Sequence, residues 1–479
     1  MARIRFGTDG WRAVIGEDYT TTNVARVAQA TADWLHRQGR DGQGLIVGYD
    51  TRFQSRRFAE EAAAVLAANG IRVLLCSRPA PTPAVSWAIR RHGLAGGVMI
   101  TASHNPPEYN GFKLKAHYAG PALPEMTAEL ERILEEQQAR GLEPRRLDVA
   151  DLPRRVDAFD PGPDYLQQLG SYVDLNAIGR AGLRVVVDFM HGAGRGFLDH
   201  ILEVAGVEVV PVRGEPRPDF GGAPPEPIAR NLRPARAAVI MHRAAAGLCL
   251  DGDADRVAAV DEDGRVVDAH RVFALLLQHL HEDRGLDGMV VKTFAGSRMI
   301  PRLARAYGLP YEETPVGFRH VCEHALRETV LIGGEESGGI GVRDHIPERD
   351  GILCNLLLLE MMVQRGCGPG QLVERLMEQV GRHHFAREDL RLAARQKEDL
   401  MRTLREAPPD RFAGFAVTHI DSLDGVKLIL GDHGWILFRP SGTEPVVRIY
   451  AEADDPAKLR RLMAAGTARA RGSTDAAPE

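Results

Sequence analysis

Three times along the chain, an apolar run leads through a loop into an amphipathic stretch, a glycine and a second apolar run. Leu45 to Asp50 reads as a buried strand, and Ser55 is placed to cap a helix whose apolar face is Phe58, Ala62, Val65 and Leu66. Gly70 stops that helix, and Ile71 to Cys76 reads as the next strand. Leu183 to Asp188 opens the second copy, followed by a glycine-rich loop, a helix to Ala205, Gly206, and a strand from Val207 to Val212. Met289 to Lys292 opens the third, with a helix from Ser297 to Tyr307, Gly308, and a strand from Tyr311 to Pro315. Strands alternating with glycine-terminated helices predict mixed, mostly parallel sheets packed with helices. The repeat interval is too long for a solenoid and fits three similar α/β domains in tandem.

Breaks in the pattern supply the boundaries. Pro144 to Pro163 is rich in Pro, Arg and Asp, has neither helical nor strand period, and reads as a linker. Glu215 to Pro227 reads as a long loop, and Gly366 to Gly370 as a punctuating turn. Beyond His383 short strands such as Trp435 to Arg439 replace the earlier pattern, which predicts a smaller α+β domain. The expected domains are residues 1–150, 160–262, 263–372 and 383–471, with a frayed tail at 472–479.

Composition narrows the function classes. With 479 residues, 60 Lys+Arg against 65 Asp+Glu and a net charge of -5, the chain has no electrostatic footprint for nucleic acid or anionic membrane. The apolar run from Ile352 to Val363 is broken by Asn355 and Glu360 and is too short to span a bilayer. The N-terminal residues reach Asp9 before any apolar run, unlike a signal peptide. Five scattered cysteines without a C-x-x-C suggest reduced thiols, and a cytoplasmic location is expected.

Chemistry concentrates in five segments. In Asp251-Gly252-Asp253-Ala254-Asp255-Arg256, three carboxylates at alternate positions repel one another unless a cation sits among them, and hard oxygen donors suit Mg²⁺. An EF-hand is excluded, because Arg256 occupies the position that needs glycine and the flanks read as strands, with Asp261 to Gly264 as a hairpin turn. Thr101-Ala102-Ser103-His104-Asn105-Pro106-Pro107 puts Ser103 at a strand end, where α/β sheets place their ligands. Ser103 beside His104 could be a nucleophile with a base nearby, but adjacent side chains in extended chain point apart, so the pair alone proves no hydrogen bond. Arg439-Pro440-Ser441-Gly442-Thr443-Glu444-Pro445, with Arg448 beyond, has the small residues and guanidinium groups a phosphate-binding loop needs. Gly333 to Gly339 offers Glu335 and Ser337 to sugar hydroxyls, and Phe6 to Arg12 is glycine-rich and ends in arginine. Taken singly, each of these last three is equally an ordinary turn. Gly192 to Gly196 imitates a dinucleotide fingerprint but has Phe197 where the last glycine belongs, and no Gly-Lys of a Walker A loop occurs anywhere.

Together, FGTDGWR, TASHNPPEYNGFKLK, DGDADR, GGEESGG and RPSGTEPVVRIYAEA resemble, over the whole chain and in order, the motifs of the α-D-phosphohexomutase family, the phosphoglucomutase/phosphomannomutase enzymes. The resemblance implies three similar α/β domains and a C-terminal α+β domain around a central cleft. It implies phosphoserine chemistry at Ser103, with Mg²⁺ held by Ser103, Asp251, Asp253 and Asp255. Arg12, His104, Lys113 and Arg256 would line the reacting end, with His104 or Lys113 as proton carrier. Glu335 and Ser337 would grip the sugar, and Arg439, Ser441, Gly442, Thr443 and Arg448 would hold the phosphate that is not reacting. A hexose 1,6-bisphosphate would be the intermediate and activator. The hexose phosphate would be the partner, with no nucleic acid or membrane, and the protein a monomer or homodimer. Gly-Glu-Glu-Ser resembles phosphoglucomutase-type members more than phosphoglucosamine mutases, which usually carry Gln before Ser, so glucose phosphates are the expected substrates. Mannose phosphates would be a possible second substrate. Phosphoglucosamine mutase is the alternative, followed by a non-catalytic sugar-phosphate binder or a phosphatase. One position departs from the family, since Arg319 stands where lysine is common, and a permanently charged guanidinium shuttles no proton.

Overall fold

The computed structural model describes residues 4–441 and 445–472; the expected tail beyond Gly472, and Gly442 and Thr443, lie outside them. The chain divides into two compact units, Met1–Val291 with Gly317–Val373, and Lys292–Val316 with Glu374–Glu479.

The first unit contains two sheets of the expected kind. Strands β1 (Trp11–Val14), β2 (Leu45–Tyr49), β3 (Val73–Cys76), β4 (Gly96–Ile100), β5 (Tyr109–Ala116) and β6 (Asp157–Phe159) lie in the order β1-β5-β4-β2-β3-β6. Strands β7 (Arg184–Asp188), β8 (Glu208–Val212), β9 (Ala246–Leu250), β10 (Val257–Val260) and β11 (Val266–Val267) lie in the order β11-β10-β9-β7-β8. The cores of the two sheets match. In each, a central strand pairs in parallel with two others, one of which pairs antiparallel with the strand that follows it, as β4 does with β5 and β9 with β10. The antiparallel pair Val330–Gly334 with Ile340–Val342 repeats the last step a third time.

Parallel strands are covered on both faces, which is why β2, β4 and β9 are buried at every position and read as unbroken apolar runs. Helix Ser55–Ala68 buries Phe58, Ala62, Val65 and Leu66, as its periodicity requires. Ser55 does not cap it. Gln54 occupies that position in left-handed conformation, and the Ser55 hydroxyl instead donates to Asp50 Oδ1 at 2.7 Å. The stretch Pro144 to Pro163 is also more than a linker. Its strand β6 pairs in parallel with β3, and a short helix, Leu152–Arg155, precedes it. Three residues, mostly exposed, join the sheet edge through backbone groups and leave no side-chain alternation to read. Asp261 to Gly264 forms the hairpin turn between β10 and β11, closed by Gly264 N donating to Asp261 O at 2.9 Å.

In the second unit, His384–Arg391, Val446–Ala453, Gly434–Pro440, Val426–Ile429 and His419–Asp421 form an antiparallel sheet in that order. Ile436 and Phe438 pack in one cluster with Leu404 and Leu462, from helices Ala394–Glu406 and Pro456–Ala470. Trp435 and Leu437, on the opposite face, pack with Phe294 and Tyr450. Both faces are covered, which explains the continuous run Trp435-Ile436-Leu437-Phe438. Among the described residues, no helix is long and apolar enough to cross a membrane.

Candidate active site

The serine, aspartate and Gly-Glu-Glu-Ser loops occupy equivalent places: each joins an antiparallel pair, β4 to β5, β9 to β10, and Val330–Gly334 to Ile340–Val342. Repetition of one supersecondary unit thus presents three different loops from the same strand end.

Ser103 is buried and sits at φ +52°, a left-handed conformation uncommon for a residue with a Cβ. The loop around it is held by buried polar groups. Thr101 Oγ1 accepts from Ser103 N at 2.8 Å, and Arg52 donates to the carbonyls of Ser103, Asn105, Pro106 and Tyr109 at 2.5–3.0 Å. Arg52 is in turn paired with Asp50 at 3.2 Å. The left-handed turn brings His104 Nδ1 to 3.2 Å from Ser103 Oγ. The contact that adjacency alone left open is therefore made, because the chain here is not extended.

The Ser103 hydroxyl donates to Asp251 Oδ2 at 2.6 Å. Asp251, Asp253 and Asp255 are fully buried, and one oxygen from each lies within 4.8 Å of the others. Burial, then repulsion from Asp253 and Asp255, pushes the Asp251 carboxyl well above its usual range against the pull of Arg256. Burial acts on Asp253 in the same sense, but Lys113 and Thr82 more than offset it and hold that carboxyl down. Lys113 Nζ reaches Asp253 Oδ2 at 2.8 Å, Asp255 Oδ2 at 3.1 Å and Asp9 Oδ2 at 2.8 Å. Burial would lower this ammonium's pKa, yet three carboxylates raise it. These contacts occupy the Oδ2 atoms. Oδ1 of Asp253 and of Asp255 are buried without a hydrogen-bond partner, an arrangement costly unless a cation completes it. The donor set, three hard carboxylates beside a serine oxygen, fits a divalent cation such as Mg²⁺.

The remaining expected residues of this unit lie around the same loops. Arg12 donates to Asn105 Oδ1 at 2.7 Å and to Ala102 O at 3.2 Å. Arg256 is buried, with Nε 3.9 Å from both Asp251 Oδ2 and Asp255 Oδ1, and its Nε and Nη1 have no hydrogen-bond partner. Glu335 is buried and accepts from Arg349 Nη1 at 3.3 Å, while Ser337 is half-buried in the same turn. Arg319 lies in the first turn of helix Phe318–Arg327, half-buried. Glu262 stays apart from the aspartates and accepts from Gly370 N at 3.0 Å, which agrees with the exclusion of an EF-hand. The fingerprint-like Gly192 packs on the aspartate loop, where a Cβ would stand 2.6 Å from Gly252 O.

In the second unit, Arg439 and Arg448 face each other across adjacent strands. Arg439 Nε donates to Asp424 Oδ2 at 2.8 Å, and Lys397 Nζ to Ser441 O at 3.0 Å. Two guanidinium groups at one register position make a place suited to an anion.

Four residues of the first site escaped the sequence reading: half-buried Asp9 and buried Arg52, Thr82 and Arg349. Asp9 lay inside a segment already singled out, whereas Arg52, Thr82 and Arg349 carry no motif and are brought in by folding.

Comparison with known proteins agrees with this geometry. Models of the phosphoglucomutase/phosphomannomutase α/β/α domains I, II and III match residues 3–141, 163–264 and 268–380, and that of the C-terminal domain matches 392–467. The chain is 32% identical to a phosphoglucomutase/phosphomannomutase of Thermococcus kodakarensis over 461 residues, covering 96% of this chain and 97% of the relative. It is 33% identical to a phosphoglucosamine mutase of Ruegeria sp. over 474 residues, covering 96% of each. The crystal structure of a phosphomannomutase candidate from Thermus thermophilus superposes with a TM-score of 0.86 at 36% identity, over 97% of this chain and 98% of that one. Matched across all four of its domains, the chain belongs to the phosphoglucomutase/phosphomannomutase family of phosphohexomutases, enzymes that move a phosphoryl group within a hexose phosphate.

Proposed function

We propose that the protein interconverts the 1- and 6-phosphates of a hexopyranose, with Ser103 as the phosphoryl carrier. The observation that carries this reading is the Ser103 hydroxyl at 2.6 Å from a buried cluster of three aspartates, two of which keep an unpartnered oxygen. Asp251, Asp253 and Asp255, beside Ser103 Oγ, would hold Mg²⁺, which would supply neutralisation of the transferring group.

The chain's own residues do the rest. Transfer to the sugar breaks the bond between phosphorus and Ser103 Oγ as a sugar hydroxyl oxygen takes its place. Oγ takes up one proton, which His104 Nδ1, at 3.2 Å, is placed to deliver; the sugar hydroxyl gives up one to solvent, from which the imidazole regains its own, so protons balance over the step. Lys113, held as an ammonium by three carboxylates, acts as a fixed cation and not as a base. Arg12 and Arg256 clamp phosphate oxygens, Glu335 and Ser337 take sugar hydroxyls, and Arg439, Ser441 and Arg448 bind the phosphate that stays. The resulting hexose 1,6-bisphosphate then returns its other phosphate to Ser103.

Among the sugars, glucosamine phosphate moves ahead of the glucose phosphate expected from the loop sequence. Its support is the phosphoglucosamine mutase name carried by relatives of the Ruegeria type and by a Methanopyrus kandleri homologue at 30% identity. Glucose phosphate remains the second reading, on Glu336 in Gly-Glu-Glu-Ser and on the Thermococcus relative.

³¹P NMR with Mg²⁺ and a trace of hexose 1,6-bisphosphate, offering glucosamine, glucose and mannose 1-phosphates separately, tests both levels. Conversion of the glucosamine substrate fastest, without free phosphate, is the expected result. Faster conversion of glucose 1-phosphate restores the earlier order. No isomerisation of any sugar overturns the mutase reading, leaving a phosphatase if free phosphate grows and a binder if nothing changes.

A further inference from the structure

Arg349 is buried, 2% exposed, and one guanidinium group touches both the aspartate loop and the Gly-Glu-Glu-Ser loop. Its Nη2 stands 2.7 Å from Asp9 Oδ2 and 2.9 Å from Asp255 Oδ2, while its Nη1 donates to Glu335 Oε2 at 3.3 Å. Nε faces Glu348 Oε1 at 3.4 Å, and Glu348 is itself paired with Lys115. The approach depends on a residue without a side chain, because a Cβ on Gly339 would overlap Arg349 Cδ and stand 2.9 Å from Glu335 Oε2. The two loops also touch through backbone. Arg256 and Gly339 form an isolated antiparallel bridge, and Val257 N donates to Gly338 O at 3.0 Å.

Which atoms Arg349 takes is informative. On Asp255 it shares Oδ2 with Lys113 and leaves Oδ1 buried and unpartnered; on Glu335 it takes Oε2 and leaves Oε1. A planar fork that fixes one oxygen of each carboxylate orients the other, as groups behind metal ligands do.

We propose that Arg349 is a positioning residue that couples cation binding at Asp255 to sugar binding at Glu335, so that each site is built by the same guanidinium. This rests on the mutase reading for the identity of the two ligands. Removing the guanidinium loosens both carboxylates at once, whereas a residue of merely structural importance lowers stability without linking the two affinities.

The test is direct binding by calorimetry on the full chain. Mn²⁺ is titrated in the absence of sugar, and glucosamine 6-phosphate in the absence of metal, for wild type, Arg349→Met, Glu335→Gln and the double variant. Expected is a weakening of about tenfold for each ligand in Arg349→Met. The double variant is expected to bind the sugar phosphate no more weakly than Glu335→Gln alone. Unchanged affinity for either ligand, or losses that multiply in the double variant, overturns the coupling. Arg349→Lys, which keeps the charge but cannot fork, covers the case in which Arg349→Met fails to fold. It is expected to lose affinity for at least one ligand and raise KM more than it lowers kcat, and wild-type values in it refute the proposal. Absence of isomerisation by the wild type would instead count against the mutase reading, leaving the binding results to judge Arg349 separately.

Discussion

Ser103 and Asp251, 148 residues apart in the chain, are joined by a 2.6 Å hydrogen bond from the serine hydroxyl to Asp251 Oδ2. The contact brings the loop of one α/β repeat against the equivalent loop of the next, and so places the oxygen proposed to carry the phosphoryl group beside a cluster of three carboxylates. A nucleophile and a cation site supplied by separate repeats must be tested separately.

Ser103→Ala removes the oxygen proposed to carry the phosphoryl group and leaves the loop's main anchors, Arg52 and Thr101, in place. Mutase activity should fall by about a thousandfold or more while the thermal transition stays close to that of the wild type. Phosphate incorporation from a labelled hexose 1,6-bisphosphate, read by mass spectrometry of the Ser103 peptide, should vanish with it. Activity above a tenth of the wild type would remove Ser103 from the mechanism.

The three aspartates repel one another in the absence of a cation, so divalent metal should stabilise the first unit as well as activate it. Chelation should abolish turnover, and Mg²⁺ should restore it. At a hundred times its dissociation constant, Mg²⁺ should add about 2.7 kcal/mol to stability. Asp253→Asn should reduce this gain, because it removes one of the two unpartnered oxygens or its charge. A metal-induced shift of the melting temperature that is equal in wild type and Asp253→Asn would place the ion elsewhere.

Arg52 satisfies four carbonyls of the serine loop from a position that is 3% exposed. Lysine keeps the charge but has three donors on one atom and cannot span them. Arg52→Lys is expected to cost about 2–3 kcal/mol in unfolding experiments, as buried acceptors lose partners. It should also lower kcat by about a hundredfold through displacement of Ser103. A stable variant with wild-type kcat would show that the clamp is dispensable.

Glu452 in the second unit gives a pH signature. Burial pushes its carboxyl up, but the hydrogen bond and charge of His383, with help from Ser297 and Arg298, bring it down to about 2. A depressed carboxyl contributes stability that is complete above its ordinary value of 4.5 and disappears as the pH falls through about 2. Glu452→Gln should therefore be less stable than wild type at pH 7, on the order of 3 kcal/mol, with the difference shrinking between pH 4.5 and 2. Denaturant unfolding across that range checks it, and a deficit independent of pH would refute the assignment.

Much of this arrangement was legible along the chain, and the elements show why. The alternation of strand, helix and glycine in the three repeats follows from local rules: apolar period, helix-stopping glycines such as Gly206 and Gly308 in left-handed conformation, and strands buried on both faces. The clustering of Asp251, Asp253 and Asp255 was readable from their alternate positions in one short loop after a buried strand. The edge strand Asp157–Phe159 was not readable, since its membership rests on backbone hydrogen bonds to Val73–Cys76. The Ser103–His104 contact could not be decided along the chain, because it depends on the φ of +52° at Ser103 in a loop held by Arg52.

Local chemistry is written in neighbouring residues: which segments become strands, which loops are acidic, which serine stands at a strand end. Tertiary structure alone decided that Lys113 takes Oδ2 of Asp253 and of Asp255, that Arg52 holds the serine loop, and that Arg349 bridges Asp255 and Glu335. Each joins a buried cation to oxygens distant in the chain, and such a contact exists only once the elements that carry its two ends have packed and excluded water.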